Sequence, residues 1–227
     1  MMRRPAARRL IDSLACSAAV STLLTATSGA AAATAGDLLG GELRLQGGTG
    51  GDAAPIREAE AFEGELPELR LGDHFFIGLG VIVAPWRSDS GVHALEAELL
   101  GGFASWSTGK DATADRLTTF GAPLDLLGFY RYAGNPNEQA PWFVRAGAGL
   151  TYRLGSGIGS FGRFSGIDYD IADALGYVVE ASTIYAAVGA GLRYTWLTSK
   201  IEATGEEVDM SSIAAFVNII LEPGADL

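Results

Sequence analysis

Cysteine, histidine and long apolar runs are all scarce in this chain, and each shortage removes a class of protein. A single cysteine, Cys16, stands among 227 residues, so neither an intrachain disulfide framework nor a thiolate metal centre can be built. Two histidines, His74 and His93, are thin material for general acid–base chemistry or a histidine metal site. After residue 35 no run reaches the roughly eighteen consecutive apolar residues of a membrane-spanning helix. Basic side chains are also short: 16 Lys and Arg face 27 Asp and Glu. Nucleic acid is therefore excluded as a partner, because phosphate binding draws on clustered Lys and Arg.

What is present begins with an export signal. Arg3, Arg4, Arg8 and Arg9 form a basic n-region, Leu14 to Thr25 an apolar and small-residue h-region, and Ala33-Thr34-Ala35 an A-x-A cleavage site. This predicts a secretory signal peptide over residues 1–35 and a mature domain over 36–227. Cys16 leaves with the signal. The mature chain then carries 12 basic and 26 acidic residues, a formal charge of about −14. Ser13 stands where a lipoprotein signal wants a large aliphatic residue, and the residues around the arginine pairs fit a twin-arginine signal poorly.

The mature sequence is dominated by alternation. From Trp142 to Tyr152 the residues Trp142, Val144, Ala146, Ala148, Leu150 and Tyr152 are apolar, while Arg145, Gly147, Gly149 and Thr151 fall between them. Ten residues at about 3.3 Å each, tilted by about 40°, rise about 25 Å, the height of an outer-membrane apolar band between its two aromatic girdles. The spacing recurs from Phe120 to Tyr130, and from Ile184 to Tyr194 or Trp196. Phe120, Tyr130, Trp142, Tyr152, Tyr194 and Trp196 are accordingly the predicted girdle. A chain without spanning helices can enter a membrane only as a closed barrel.

Eight strands are legible. Gly41 to Gly47 is the first, and residues 48–67 form an aperiodic Gly/Ala/Glu/Pro loop. Leu69 to Val83 follows, with Leu71, Phe75, Ile77, Leu79, Val81 and Val83 on one face and Pro85-Trp86 ending it. Then come Val92 to Phe103, Thr119 to Tyr132 and Pro141 to Arg153, the last two separated by the turn-rich Gly134 to Asn137. Residues 154–174 read as a long loop. Gly176 to Ala181 is a short sixth strand, although Ile171, Ala174, Leu175, Val178 and Val179 also lie at helical spacing. Thr183 to Leu197 and Ser211 to Leu221 complete the set.

If the apolar faces meet lipid, Glu42, Arg44, Glu96, Glu98, Asp125, Arg145, Arg193 and Asn218 point inward. An eight-stranded barrel is just wide enough to be filled by side chains, so these groups are expected to form a polar lumen network of ion pairs. The inner glycines Gly147, Gly149, Gly189 and Gly191 are expected to leave room for long Arg and Glu side chains. Catalysis is not expected. A barrel acyl hydrolase needs a serine activated by a histidine, and neither His74 nor His93 is followed by a serine two residues on. The acidic run Glu58, Glu60, Glu63, Glu65 and Glu68 reads as a solvated loop; the alternative is divalent-cation binding near lipopolysaccharide. No cofactor and no metal are expected.

The segment Ala122-Pro123-Leu124 to Tyr132, followed by Pro141-Trp142-Phe143-Val144-Arg145-Ala146-Gly147-Ala148-Gly149-Leu150-Thr151-Tyr152, resembles the "P-Y-V-G-A-G-x-x-Y-T" region of the OmpW-like outer-membrane barrels. Asp173 to Ala181, Leu192-Arg193-Tyr194-Thr195-Trp196 and a final strand preceded by Asp209 are similar to that family's later strands. The sequence departs from the pattern in its near-absent sixth turn, Ser182-Thr183, and in its Glu-Pro-Gly-Ala-Asp-Leu terminus. The resemblance implies an all-β, antiparallel up-and-down transmembrane barrel of eight strands in the bacterial outer membrane. Its partners would be membrane lipids and lipopolysaccharide, its role structural or the uptake of small hydrophobic solutes. The competing expectations are a secreted soluble β-sandwich or lipid-binding barrel, and an outer-membrane lipid acyl hydrolase dependent on His74.

Overall fold

The computed structural model describes residues 39–54, 69–108, 116–134, 141–161 and 169–221. The predicted signal peptide and the Glu58 to Glu68 run lie outside these residues. Every regular element described is a strand: β1 (Leu39–Thr49), β2 (His74–Arg87), β3 (His93–Thr108), β4 (Arg116–Ala133), β5 (Trp142–Phe161), β6 (Tyr169–Ile171), β7 (Ala174–Tyr185), β8 (Val188–Trp196), β9 (Thr198–Lys200), β10 (Glu207–Asp209) and β11 (Ser212–Leu221). Eight of them, β1-β2-β3-β4-β5-β7-β8-β11, pair antiparallel in ring order, and β11 returns to β1. Closure leaves the ring no unpaired edge, which satisfies the backbone polar groups of its strands within the wall.

The two faces of that wall are inverted relative to a water-soluble domain. Leu43, Leu45, Ile77, Leu79, Leu126, Val144, Leu192 and Val217 are exposed on the outside, while Glu42, Arg44, Glu98, Asp125, Arg145 and Arg193 are buried within. The period of two that sends Leu outward sends its charged neighbour inward.

The two ends differ. Gly41 faces Leu221 at the end that holds the first and last barrel strands' outer limits. There the connections are 88–92, 134–141 and Ala186–Ala187. At the opposite end they span 50–73, 109–115, 162–173 and 197–211. The described residues among them, 50–54, 69–73, 169–173 and 197–211, form a cap. The β9–β10 hairpin carries Asp209, whose carbonyl accepts from the Asp52 N–H at 2.9 Å and whose own N–H donates to the Asp52 carboxylate at 2.9 Å. Leu69, Leu71, Ile158, Ile171, Leu197, Ile201, Val208 and Met210 close an apolar core beneath it.

Several boundaries differ from the sequence reading. Leu69 and Leu71 belong to the cap core, not to the outer face of a strand, and β2 starts at His74. Their alternation with Arg70 imitates a strand, but the chain there makes only the isolated Ala53–Arg70 bridge. Pro85-Trp86 does not end β2. The ladder shifts by a bulge between Val83 and Trp86 and resumes to Arg87, since a bulge tolerates the missing proline N–H. Residues 154–161 are not loop but the far half of β5, paired with both β4 and β6.

The sixth barrel strand is longer than expected and the helical alternative is not realised: β7 runs Ala174–Tyr185. Its turn is Ala186–Ala187, not Ser182-Thr183. Tyr185 faces Val188 across it, so the outward set changes from odd to even numbers at the turn, and Ile184 is buried inside the lumen. The turn lacks Gly, Asn or Asp, which hid it. Ala186 holds φ at 52°, the one positive φ outside glycine among the described residues, where an L-residue costs roughly 1–2 kcal/mol. Ala186→Gly is expected to raise the unfolding free energy by about 0.5–1 kcal/mol after glycine's entropy is counted. Urea unfolding in detergent micelles measures this, and a loss of stability would contradict the placement of the turn.

Candidate functional site

The lumen is assembled by parity. All eight predicted lumen residues are buried, and six β-strands supply them: β1 gives Glu42 and Arg44, β3 Glu96 and Glu98, β4 Asp125, β5 Arg145, β8 Arg193 and β11 Asn218. Two further charges, Arg131 and Glu180, join them. Both sit between outward aromatics or aliphatics, Tyr130 and Tyr132 for the first, Val179 and Ala181 for the second. That parity was the available signal.

Glu180 is central. Its carboxylate receives Arg44 in a fork, Nη1 to Oε2 at 2.6 Å and Nη2 to Oε1 at 2.9 Å. Arg44 Nε also donates to Glu42 Oε1 at 2.6 Å. Arg145 Nη2 donates to Glu42 Oε2 at 3.0 Å and lies 3.3 Å from Glu98. Its Nη1 is 3.6 Å from Glu96, which also pairs with Arg131 at 3.1 Å. Three guanidiniums and four carboxylates thus make one cluster joining β1, β3, β4, β5 and β7. Nearer the cap, Arg193 forms a separate pair with Asp125 at 2.6 Å and donates to Thr195 Oγ1 at 3.2 Å. Asn218 faces Arg44 across the β1–β11 ladder.

Desolvating each ion costs at least several kcal/mol, so removing one partner leaves a buried charge with part of that cost no longer offset. Aromatic rings add support. Arg44 lies over Phe216 and Arg145 over Phe129, each 4.3 Å from guanidinium carbon to ring centroid, contacts worth about 2 kcal/mol when desolvated. Here the expectation for the inner glycines needs correcting. Gly191 is the ladder partner of Phe216 and Gly147 that of Phe129, and a Cβ at either glycine would collide with the ring. The vacated space is filled by phenylalanine, and the arginine stacks on the ring. Gly189 leaves room for Asn218, and Gly149 for the β4 backbone at Leu126.

Little space remains. A cavity of about 20 Å³ is lined by Gln46, His74, Asp125, Arg153 and Arg193, and others of about 10 Å³ lie beside Ser156 and beside Phe143. Such volumes hold a water molecule or two. An apolar group of Ile82, Ala133, Phe143, Ile184 and Ile220 fills the end opposite the cap.

On the outside, Phe120, Tyr152, Tyr194 and Trp196 lie toward the cap, and Tyr130 and Trp142 toward the short turns; all six are exposed. Phe75, Phe103, Trp106 and Tyr177 extend the first belt, and Trp86, Tyr132 and Tyr185 the second. Tyr132 and Trp142 meet edge to face at 6.0 Å, Tyr194 and Trp196 at 4.5 Å. Both histidines are engaged. His74 Nδ1 is 2.8 Å from the Gly72 carbonyl and its Nε2 is 2.7 Å from the Gln46 amide nitrogen. His93 Nδ1 is 2.7 Å from the Tyr130 hydroxyl.

Glu180→Leu removes both acceptors of the Arg44 fork and is expected to destabilise the barrel by about 3–5 kcal/mol. The shift in urea midpoint of the refolded protein reads this. A loss below about 1 kcal/mol, the level of an exposed pair, would contradict the central place given to Glu180.

No protein-family model and no curated protein matches the chain. Among solved structures, it is similar to Ail, the attachment invasion locus protein of Yersinia pestis, at 7% identity over 81% of this chain and 97% of that one, with a TM-score of 0.35. That structure holds the heparin analogue sucrose octasulfate. An outer membrane channel from Pseudomonas putida F1 aligns at 16% identity over 82% and 95% of the two chains, with a TM-score of 0.25.

Proposed function

We propose that this protein is an integral protein of the bacterial outer membrane whose lumen does not conduct, and which presents its folded cap at the cell surface. One observation carries the proposal: the ring is charged and ion-paired inside and apolar outside, with an aromatic belt toward each end. Water would not tolerate that outer band as a stable monomer surface, because exposed apolar patches on soluble proteins rarely exceed a few hundred Å². Lipid would. Three of the four connections at the cap end are longer than any at the other end, which matches the orientation of outer-membrane barrels, whose short turns face the periplasm. The same inversion disfavours the soluble sandwich. Packing of the two histidines against Gln46, Gly72 and Tyr130 supports a non-catalytic role.

Uptake of small hydrophobic solutes, the finer role implied by the OmpW-like resemblance, is a second reading that one feature favours. The β3–β4 ladder lapses between Gly101↔Leu124 and Ala104↔Gly121, where Pro123 has no N–H to give. Passage would then run through the wall at this notch, since the lumen is filled. On the main reading, the refolded protein stays in the membrane after carbonate extraction and shows no steady conductance in planar bilayers. Full extraction would sink the membrane assignment, and a stable open-channel current would sink the sealed lumen. If the second reading holds, cells take up the apolar dye phenylnaphthylamine in a manner abolished by cross-linking Phe103→Cys to Ala122→Cys.

A further inference from the structure

Between the Arg193–Asp125 pair and the cap, the cavities of about 20 and 10 Å³ share His74, Ala104 and Arg153 in their walls. Four side-chain atoms of the residues lining them are sealed and have no hydrogen-bond partner: Gln46 Oε1, Asp125 Oδ1, Arg153 Nε and Ser156 Oγ. Gln46, Asp125 and Ser156 are 6%, 1% and 6% exposed. An unsatisfied buried polar atom costs about 1–3 kcal/mol, so four in one place call for an occupant.

The chemistry of the set selects it. His74 fixes the amide of Gln46: a carbonyl accepts at Nδ1, so the ring proton sits there, and Nε2 receives the amide NH₂. Gln46 Oε1 is therefore left as an acceptor, beside the acceptor Asp125 Oδ1. An anion would meet both oxygens. A cation would meet Arg153 and Arg193. An apolar atom would satisfy none of the four. Water donates to the two oxygens, accepts from Arg153 Nε and does either with Ser156, and the volumes suit one to two molecules in the larger cavity.

We infer that these cavities are a single water-binding site, a short chain of ordered waters that ties β1, β4 and β5 together beneath the cap. It is distinct from the Arg44–Arg145 cluster, which is joined by direct contacts, and it stands whether or not any solute crosses the wall.

Synchrotron hydroxyl-radical labelling of the purified full chain in detergent tests this, because bound water generates radicals beside buried side chains. Phe76 lines the larger cavity and is as buried as Phe129 and Phe216, which line neither. Phe76 is expected to label several-fold faster than those two, at a rate independent of added sodium fluoride, an anion that hydroxyl radical does not oxidise. Equal labelling of the three rings means dry cavities and overturns the proposal. Fast labelling of Phe76 that fluoride suppresses while Phe129 and Phe216 are unaffected means an anion site and overturns it equally. Ser156→Ala, which leaves the fold's packing intact, is expected to slow Phe76 less than Gln46→Leu does; if neither changes the rate, the waters are not held by this set.

Discussion

Eight strands closed into a ring leave an interior only wide enough for side chains, and this chain has placed ions there. Burying a guanidinium is tolerable only where carboxylates are waiting, so Arg44 and Arg145 demand Glu42, Glu98 and Glu180 from three different strands. The register of the ring follows from that demand. A slip of one residue in β1 would turn Glu42 and Arg44 to the outside and Leu43 into the cluster. The strands that carry these charges, β1, β3, β4, β5, β7 and β8, are thus held by two partitions at once, charge inward and hydrocarbon outward, and the glycine–phenylalanine–arginine stacks fill what the ion pairs leave open.

The proposed function follows in the same terms. A barrel meant to pass water-soluble solutes keeps its inner wall apart, whereas here the wall is joined across the middle, plugged by Ile184 and Phe143 at one end and covered by the Leu69–Met210 core at the other. The cavities between these barriers, of about 10–20 Å³, are water-sized. On the proposed reading, any exchange with the surroundings is left to the surfaces: the cap, and the outer wall at the Pro123 interruption.

Most of the wall could be read from residues because alternation is a local property. Trp142 to Tyr152, Phe120 to Tyr130 and Ile213 to Ile219 have the inward and outward sets expected of them, and the eight lumen residues are buried. What escaped depends on contacts remote in sequence. Leu69 and Leu71 alternate as a strand would, yet they pack on Ile158, Leu197 and Met210. The far half of β5 is Gly- and Ser-rich and reads as loop, but β4 and β6 supply its hydrogen bonds. Ala186 occupies a conformation usually reserved for glycine, so no turn residue announced it, and the parity change there concealed Ile184. Pro85 reads as a stop, whereas a bulge absorbs it.

The central claim is that the even-numbered face of β5 meets lipid while the odd-numbered face is sealed in the lumen. Single cysteines placed at residues 142 to 152 in a Cys16→Ser background, labelled with a fluorophore in liposomes containing nitroxide lipids, test it directly. Quenching at 142, 144, 146, 148, 150 and 152, with 143, 145, 147, 149 and 151 shielded, is the predicted result. Quenching at neither set, or at both alike, would contradict the inverted barrel and everything argued from it.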